Sequence, residues 1–285
     1  MGLEEIPFND LGRGQDLEFQ FLLSKIQKMK SVDFSLYRPG TLRRRIQSRL
    51  RATGCSHYSE YLVYLNKNPH EYDSLLDAIT INVTDFFRDI TTFSCLEKAV
   101  VPEIIRTKEK TGRKVIRVWS AGSSHGEEAY SLAMLFFERL QGKIHNFQLK
   151  IFGTDIDPNC IEAAKNGIYG REQVRKIPPF LLEKYFTFNG SHYEVIDELK
   201  QATNFSFHNL VCDAPLHSMD LILCRNVLIY FKRPLQEAVC RDFYKTINGG
   251  GFLVLGKVES LSGWALPGLS TVNLHERVYQ KLERE

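Results

Sequence analysis

The chain carries two successive patterns of apolar residues. From residue 16 to residue 80, apolar side chains recur three or four positions apart, as do Leu42, Ile46 and Leu50, and this spacing predicts amphipathic helices. From residue 113 onward, short apolar runs alternate with helical patterns, which is typical of a parallel sheet built from strand-helix-strand units. The sequence therefore predicts an α/β protein in which a small helical domain precedes a doubly wound sheet.

Breaks in these patterns predict the domain boundaries. Thr41 is expected to cap the helix that ends at Gly54. The stretch Thr187–Ile196 predicts a β-hairpin that turns at Asn189 and lies outside the main sheet. The predicted divisions are a flexible tail at 1–15, a helical domain at 16–80, a junction with a linker helix at 81–112, and a ligand-binding domain at 113–285 with a small β subdomain inserted at about 186–204.

A strand beginning at Val115 leads through a glycine turn directly into a helix. Gly122 and Gly126 allow a sharp turn and let the backbone approach a ligand, and the first turn of the helix offers unpaired N–H groups. The turn lacks the full G-x-G-x-x-G spacing, and a glycine turn between a strand and a helix is often only a turn. The sequence thus indicates a nucleotide-binding turn without settling it.

Polar residues follow the other strands of the predicted sheet. Asp155 ends the second strand, where doubly wound folds bind ribose hydroxyls, and Asp157 is expected to cap the next helix, which would leave Asp155 free. Asn209 and Asn226 occupy comparable places after later strands. Because ligands bind outside the carboxyl ends of parallel strands, these residues together predict one site of the size of an adenosine.

Positive charge is concentrated in the helical domain. The net charge is +3, yet residues 20–51 contain nine Lys or Arg residues against one acid, Asp33. Such a surface can be simply solvated, but acids that would pair within the same helix are missing, so an acidic partner is the better explanation. The arginines of the helix that follows Pro39 are the predicted substrate-binding residues: Arg43, Arg44, Arg45, Arg49 and Arg51.

Composition narrows the class of protein. Hydrophobic residues make up 43% and charged residues 25% of the chain, which excludes a disordered or fibrous protein. The six cysteines form no C-x-x-C pair and the eight histidines no H-E-x-x-H motif, so we expect reduced core thiols and no metal. The sequence contains neither a signal peptide nor an apolar run long enough to span a bilayer, and the expected location is the cytoplasm.

Four segments in order along the chain resemble the CheR family of chemotaxis receptor methyltransferases. They are Asn82–Arg88, Trp119–Ser131, Thr154–Asp157 and Cys224–Phe231. The resemblance implies a Rossmann-like class I methyltransferase sheet that uses S-adenosylmethionine and releases S-adenosylhomocysteine. It also implies that the substrates are glutamates on the cytoplasmic helical bundle of methyl-accepting chemoreceptors, and that the helical domain with its arginines meets this acidic bundle.

The resemblance implies a set of site residues as well. Arg88 and Tyr230 would stand nearest the transferred methyl group, and Gly122 belongs to the predicted cofactor turn. The residues expected to line the cofactor are Asn82, Thr84, Arg88, Glu128, Asp155, Asn209, Leu210, Asn226 and Val227. For Tyr230 the competing interpretation is a core aromatic residue, and for Glu128 it is an acid that only interacts with the helix dipole.

The chain departs from the family pattern at His125, Ala129 and Lys257. In addition, the hairpin near Asn189 is shorter than in members that bind a pentapeptide tether on their receptors. We therefore expect recognition without a tether, and a monomeric enzyme.

The chemistry of the expected reaction suits these residues. A glutamate carboxylate is ionised at neutral pH and can attack the methyl group directly, while Arg88 orients its second oxygen. Glu127 and Glu128 at the start of the helix would repel a phosphate but suit a cationic sulfonium. Two alternatives are a protein that binds S-adenosylmethionine without catalysis, and a nucleic-acid methyltransferase, which the missing Asn/Asp-Pro-Pro-aromatic motif disfavours.

Overall fold

The computed structural model describes residues 8–30, 32–80, 82–261 and 268–283. Two compact units share the chain. One consists of residues 1–81 together with residues 230–234, and the other of residues 82–229 and 235–285. None of the described helices is long and apolar enough to cross a membrane.

The first unit is helical. Its helices are α1 (Phe8–Lys30), α2 (Pro39–Thr53), α3 (Tyr58–Lys67) and α4 (Glu71–Thr80). The sequence predicts the start of the first helix at about residue 16, and this prediction is wrong because α1 begins at Phe8. Gly12 and Gly14 make this part of the sequence look non-helical, because each glycine costs about 1 kcal/mol relative to alanine in a helix. Residues 1–7 of the expected tail lie outside the described residues.

Helix α2 shows the predicted apolar stripe with a corrected start. Leu42, Ile46 and Leu50 are buried, and Gly54 ends the helix with a φ of 72°. Thr41 is not the N-cap, because the helix already begins at Pro39, whose fixed φ suits the first helical turn.

Residues 230–234 complete the helical unit from a distant part of the chain. The amide of Arg38 donates to the carbonyl of Tyr230 at 2.8 Å, and the amide of Lys232 donates to the carbonyl of Leu36 at 2.8 Å. The ring centroids of Tyr37 and Phe231 are 4.9 Å apart. Backbone pairing and aromatic packing thus join the two pieces.

The second unit alternates helices and strands. Its helices are α5 (Ile90–Cys95), α6 (Val101–Thr111), α7 (Glu127–Arg139), α8 (Pro158–Asn166), α9 (Arg171–Val174), α10 (Pro179–Tyr185), α11 (Asp197–Ala202) and α12 (Arg233–Thr246), of which α12 starts in the first unit. Its strands are β1 (Val115–Ala121), β2 (Gln148–Asp155), β3 (Ile168–Tyr169), β4 (Phe186–Phe188), β5 (Tyr193–Val195), β6 (Thr203–Phe207), β7 (Met219–Cys224), β8 (Ile247–Leu255), β9 (Leu269–Asn273) and β10 (Val278–Lys281).

Seven of these strands form the main sheet in the order β6-β2-β1-β7-β8-β10-β9. Strands β6, β2, β1, β7 and β8 are parallel, and β10 is antiparallel to both of its neighbours. The strand order reverses between β1 and β7, which is where doubly wound sheets bind ligands. The predicted fold class is confirmed.

A second sheet of order β3-β5-β4 contains the predicted hairpin, which joins β4 to β5. The sequence did not predict β3 or β9. Strand β3 has only two residues and β9 has no buried residue, so neither produces a clear apolar pattern.

Candidate functional site

The turn between β1 and α7 lies at the reversal of strand order. Gly122 and Gly126 adopt φ values of 80° and 97°, which are left-handed conformations that favour glycine. A Cβ atom on Gly122 would lie 2.4 Å from a methyl carbon of Val227. The turn therefore needs glycine both for its conformation and for its close contact with the segment that follows β7.

Asp155 lies at the end of β2 and is buried, with 8% of its surface exposed. Its Oδ2 atom accepts the amide of Ser124 at 2.8 Å, and its Oδ1 atom accepts the amide of Asp157 at 3.1 Å. Burial raises the pKa of Asp155 to about 6, against the opposing effect of these amides. The expectation that Asp155 is left free needs correction, because both of its carboxylate oxygens already accept hydrogen bonds from backbone amides. Each carboxylate oxygen can accept a second hydrogen bond, so hydroxyl groups of a ligand can still bind.

Asn82 connects the glycine turn to the acids that follow β2. Its Nδ2 atom donates to Asp157 at 2.6 Å, and its carbonyl accepts the hydroxyl of Ser124 at 3.2 Å. Asp157 also caps α8, as predicted, by accepting the amide of Asn159 at 2.9 Å. Thr84 follows in the same segment and is half-buried.

Asn209 and Leu210 follow β6 next to Asp155. The amide of His208 donates to the carbonyl of Asp155 at 2.9 Å. Asn209 is 2% exposed, and its side-chain oxygen accepts the amide of Val211 at 2.9 Å. This local hydrogen bond shapes the turn that carries both predicted residues beside the end of β2.

Glu259 holds the turn that carries Asn226 and Val227. It is 5% exposed, and its carboxylate accepts the amides of Asn226 at 3.0 Å, Gly256 at 2.7 Å and Ile229 at 3.2 Å. Asn226 has a φ of 61°, and among the described residues its buried Oδ1 atom has no hydrogen-bond partner. Sequence reasoning missed Glu259, although an acid just after the apolar strand β8 was a usable signal.

Glu128 is paired within the protein. Its side chain is 13% exposed; Oε1 accepts the hydroxyl of Ser120 at 2.7 Å, and Oε2 lies 3.1 Å from Nη1 of Arg225. The interpretation as an acid that interacts only with the helix dipole is therefore insufficient. Arg225, which the sequence analysis overlooked, is the partner of this carboxylate.

Arg88 lies in the loop before α5 and is half-buried. Its Nη1 atom donates to the carbonyl of Val83 at 2.8 Å. Tyr230 ends a short 3-10 turn, Leu228–Tyr230, and belongs to the helical unit, where its carbonyl accepts the amide of Arg38. The roles of Arg88 and Tyr230 at the methyl group stay predictions.

The arginines of α2 divide into two groups. Arg49 donates from Nε at 2.9 Å and from Nη2 at 2.8 Å to the buried Glu71. Arg43 pairs with Asp16, and its guanidinium carbon lies 4.1 Å from the ring centroid of Phe19. The acids missing from α2 are thus supplied to Arg43 and Arg49 by α1 and α4, so these two arginines are paired without an external acidic partner.

The remaining arginines of α2 have less committed side chains. Arg44 and Arg51 are exposed, and Arg45 is partly exposed, with an Nε atom that is buried without a partner among the described residues. These three remain the better candidates for binding an acidic surface.

The three departures from the family pattern fit locally. His125 lies 3.1 Å from the hydroxyl of Ser124 and 3.6 Å from the sulfur of Cys160. Ala129 is fully buried in α7. Lys257 donates to the hydroxyl of Thr91 at 2.8 Å.

The residues of this site fit S-adenosylmethionine. Asp155 and the unpartnered Oδ1 of Asn226 are acceptors, and the ribose hydroxyls and amino groups of the cofactor are donors. A side chain at Gly122 would collide with Val227, so glycine lets the turn lie in close contact with this predicted cofactor residue. The carboxylate of Asp155 disfavours a phosphate, whereas the charge of Glu128 is balanced by Arg225.

Both domains of the chain match models of a known family. The family model "CheR methyltransferase, all-alpha domain" matches residues 17–80, and the model "CheR methyltransferase, SAM binding domain" matches residues 82–268. The chain is 32% identical to a chemotaxis protein methyltransferase of Listeria monocytogenes, over 90% of this chain and 96% of that protein. It is 33% identical to chemotaxis protein methyltransferase 2 of Vibrio cholerae, over 77% of each.

A longer relative and a solved structure were also found. The chain is 36% identical to an uncharacterized 104.1 kDa protein of Rhodobacter capsulatus over 95% of this chain, but it spans only 29% of that protein. A TehB-like SAM-dependent methyltransferase structure from Corynebacterium glutamicum aligns with 63% of this chain and 85% of its own, at 14% identity and a TM-score of 0.34.

Proposed function

The chain belongs to the CheR methyltransferase family, and from this premise we propose that it methylates glutamate side chains on the cytoplasmic helices of chemoreceptors, forming methyl esters during sensory adaptation. The observation that carries the proposal is the match of both family domains to a chain in which Asn82, from the segment before α5, lies with the strand-end residues Asp155 and Asn226 around the glycine turn. Its cofactor is S-adenosylmethionine, and the product is S-adenosylhomocysteine.

The protein has little acid–base chemistry to perform. When bound, the cofactor supplies a methyl group on a sulfonium cation. The receptor glutamate has an ordinary pKa of about 4.3, so it is already an anionic nucleophile at neutral pH. What the chain must do is align the carboxylate and keep water away, because the reaction neutralises charge and water stabilises the separated ions.

Arg88 is the proposed orienting residue. Arg88 is half-buried, and its Nη1 atom donates to the carbonyl of Val83, which restricts the direction of the side chain. A charge-assisted hydrogen bond to one carboxylate oxygen would leave the other to attack. A stronger clamp would stabilise the ground state, so orientation is the useful contribution. Tyr230 is proposed to position the same group.

The receptor partner is proposed to meet the helical unit. Arg44 and Arg51 are exposed, and their positive charges would attract an acidic helical bundle electrostatically. The β4–β5 turn is short, with the amide of Asn189 donating to the carbonyl of His192 at 3.1 Å. We therefore propose that the receptor is bound without a pentapeptide tether. We also propose that the enzyme is monomeric and cytoplasmic.

A labelled-methyl assay with receptor cytoplasmic fragments tests the proposal. Arg88→Ala is expected to leave the affinity for S-adenosylmethionine within about tenfold and to abolish nearly all methyl transfer, since orientation is worth orders of magnitude in rate. Arg106→Ala is a matched control, because Arg106 is exposed and forms an ion pair with Glu103 three positions before it on the same helix. Asp155→Ala is expected to weaken cofactor binding in calorimetry.

Two results would contradict this function. Wild-type protein that binds the cofactor but transfers no methyl group to any receptor fragment would be a binding module instead. Methyl transfer to DNA or RNA, with an affinity that falls steeply with salt, would favour a nucleic-acid methyltransferase.

A further inference from the structure

Arg225 is a buried cation at the carboxyl end of β7. Its side chain is 2% exposed. Nη1 donates to Glu128 at 3.1 Å, and Nη2 donates to the carboxylate of Asp89 at 2.5 Å and to the carbonyl of Arg88 at 2.9 Å. A charge buried to this extent is costly unless it is paired, so these contacts are needed to keep the guanidinium inside the protein.

The backbone on either side of Arg88 is strained. Phe87 has a φ of 50° and Asp89 a φ of 60°, although neither is glycine. Such residues cost about 1–3 kcal/mol each and persist only where their surroundings hold them. The amide of Phe87 donates to the hydroxyl of Ser131 at 3.0 Å, and Arg225 holds the other side.

We propose that Arg225 is a positioning residue that fixes the backbone of Arg88 and joins it to Glu128. The inference rests on the proposed function, because it concerns the orientation of Arg88 for methyl transfer. One guanidinium joins two segments that are far apart in sequence, the loop before α5 and the start of α7. The guanidinium of Arg225 thereby links Glu128 to the loop that carries Arg88.

The geometry requires arginine at this position. The planar guanidinium sends two nitrogens in different directions, to Glu128 and to the Arg88–Asp89 backbone segment. Lysine keeps the positive charge but has a single ammonium on a flexible stem, which cannot span both groups. Arg225→Lys therefore removes the bridge and leaves the charge in place.

The first measurement is hydrogen exchange on the cofactor-free protein. The amides of Thr92 and Phe93 donate to the carbonyl of Asp89 at 2.8 and 3.3 Å, so they report on the anchoring of this loop. Arg225→Lys is expected to accelerate their exchange at least tenfold. Lys108→Met is the matched control, because Lys108 also forms a buried ion pair, with Asp220 at 2.8 Å, elsewhere in the same unit. The control is expected to leave exchange of the two amides unchanged.

The second measurement separates turnover from binding. Asp89→Ala leaves the pair between Arg225 and Glu128 intact, so we expect the affinity for S-adenosylmethionine to stay within about threefold while kcat falls about 10- to 100-fold, the size of effect that a misplacement of about 1 Å produces. Arg225→Lys is expected to lower kcat by a similar factor. Lys108→Met is expected to lower the melting temperature with kcat within twofold of wild type.

Three outcomes would overturn the proposal. They are unchanged exchange in Arg225→Lys, faster exchange with an unchanged kcat, and an equal loss of kcat in Lys108→Met. If wild-type protein methylates no receptor, the proposed function fails, whereas the exchange measurement still decides whether Arg225 anchors the loop.

Discussion

Glu127 offers a direct test of how burial changes the pKa of a carboxyl group, and through it the stability of this protein. Its side chain begins α7 and is 2% exposed, and among the described residues its Oε2 atom has no hydrogen-bond partner. Burial raises the pKa of this carboxyl to about 7, although the helix N-terminus and Gln173 favour the charged form. Glu127→Gln replaces the carboxyl with a neutral group of the same shape.

The expected size of the effect follows from this pKa. The ordinary value is 4.5. A rise to about 7 is roughly 2.5 pKa units, or about 3 kcal/mol at 1.36 kcal/mol per unit. Because the folded state holds the proton more tightly, the contribution of Glu127 to stability is present below pH 4.5 and is lost as the pH rises through 7. The side chain of the Glu127→Gln variant does not titrate. Its free energy of unfolding, relative to that of wild type, is therefore expected to rise by about 3 kcal/mol between pH 4.5 and pH 8.

Urea unfolding of both proteins at several pH values measures this difference. A gap between variant and wild type that stays constant from pH 4.5 to pH 8 would refute the reasoning. Glu276 provides a control of opposite sign. It is 5% exposed, but hydrogen bonds from Thr92 and His275 outweigh burial and lower its pKa to about 2. The contribution of Glu276 to stability is present above pH 4.5 and is lost as the pH falls towards 2. Glu276→Gln is therefore expected to lower the free energy of unfolding by about 3 kcal/mol at pH 7 and by little at pH 2.

Two further pairs of variants test the predicted cofactor turn and the arginine-bearing helix α2. Gly122→Ala is expected to cost about 2–4 kcal/mol and to weaken S-adenosylmethionine binding at least tenfold in calorimetry, because its Cβ would lie 2.4 Å from a valine methyl group. Gly112→Ala, with a φ of 69° and open space, should cost about 1 kcal/mol without affecting binding, and equal effects on binding would contradict the assignment. Arg49→Ala is expected to lower the free energy of unfolding by about 3 kcal/mol because it removes the cation paired with the buried Glu71, which would keep the hydrogen bond from the hydroxyl of Tyr61. Arg51→Ala should stay within about 0.5 kcal/mol and slow receptor methylation, and equal losses of stability would refute this division.

The sequence predicted the fold well because apolar periodicity reports directly on buried faces. The parallel strands β1 and β7 are nearly fully buried, and the helix stop at Gly54 lies where it was expected. Strand β9 was missed because none of its residues is buried. Periodicity therefore identifies elements that face a core and overlooks those at an edge.

The chemical partners in the site were less predictable. Arg225 contacts Asp89 and Glu128, which lie 136 and 97 positions away along the chain, and no local pattern links them. Glu259 binds backbone amides, and their direction depends on the folded turn. Asp155 was correctly located at a strand end, but the two amides that occupy it depend on tertiary structure.

The discontinuous helical unit has a consequence for recombination between family members. Residues 230–234 belong to this unit through backbone hydrogen bonds with Leu36 and Arg38, and Phe231 packs on Tyr37. A chimera that exchanges only residues 1–81 would pair a foreign helical unit with the native segment at 230–234. Exchange of the complete helical unit therefore requires two crossover pairs, and the second must carry Tyr230 together with the rest of segment 230–234.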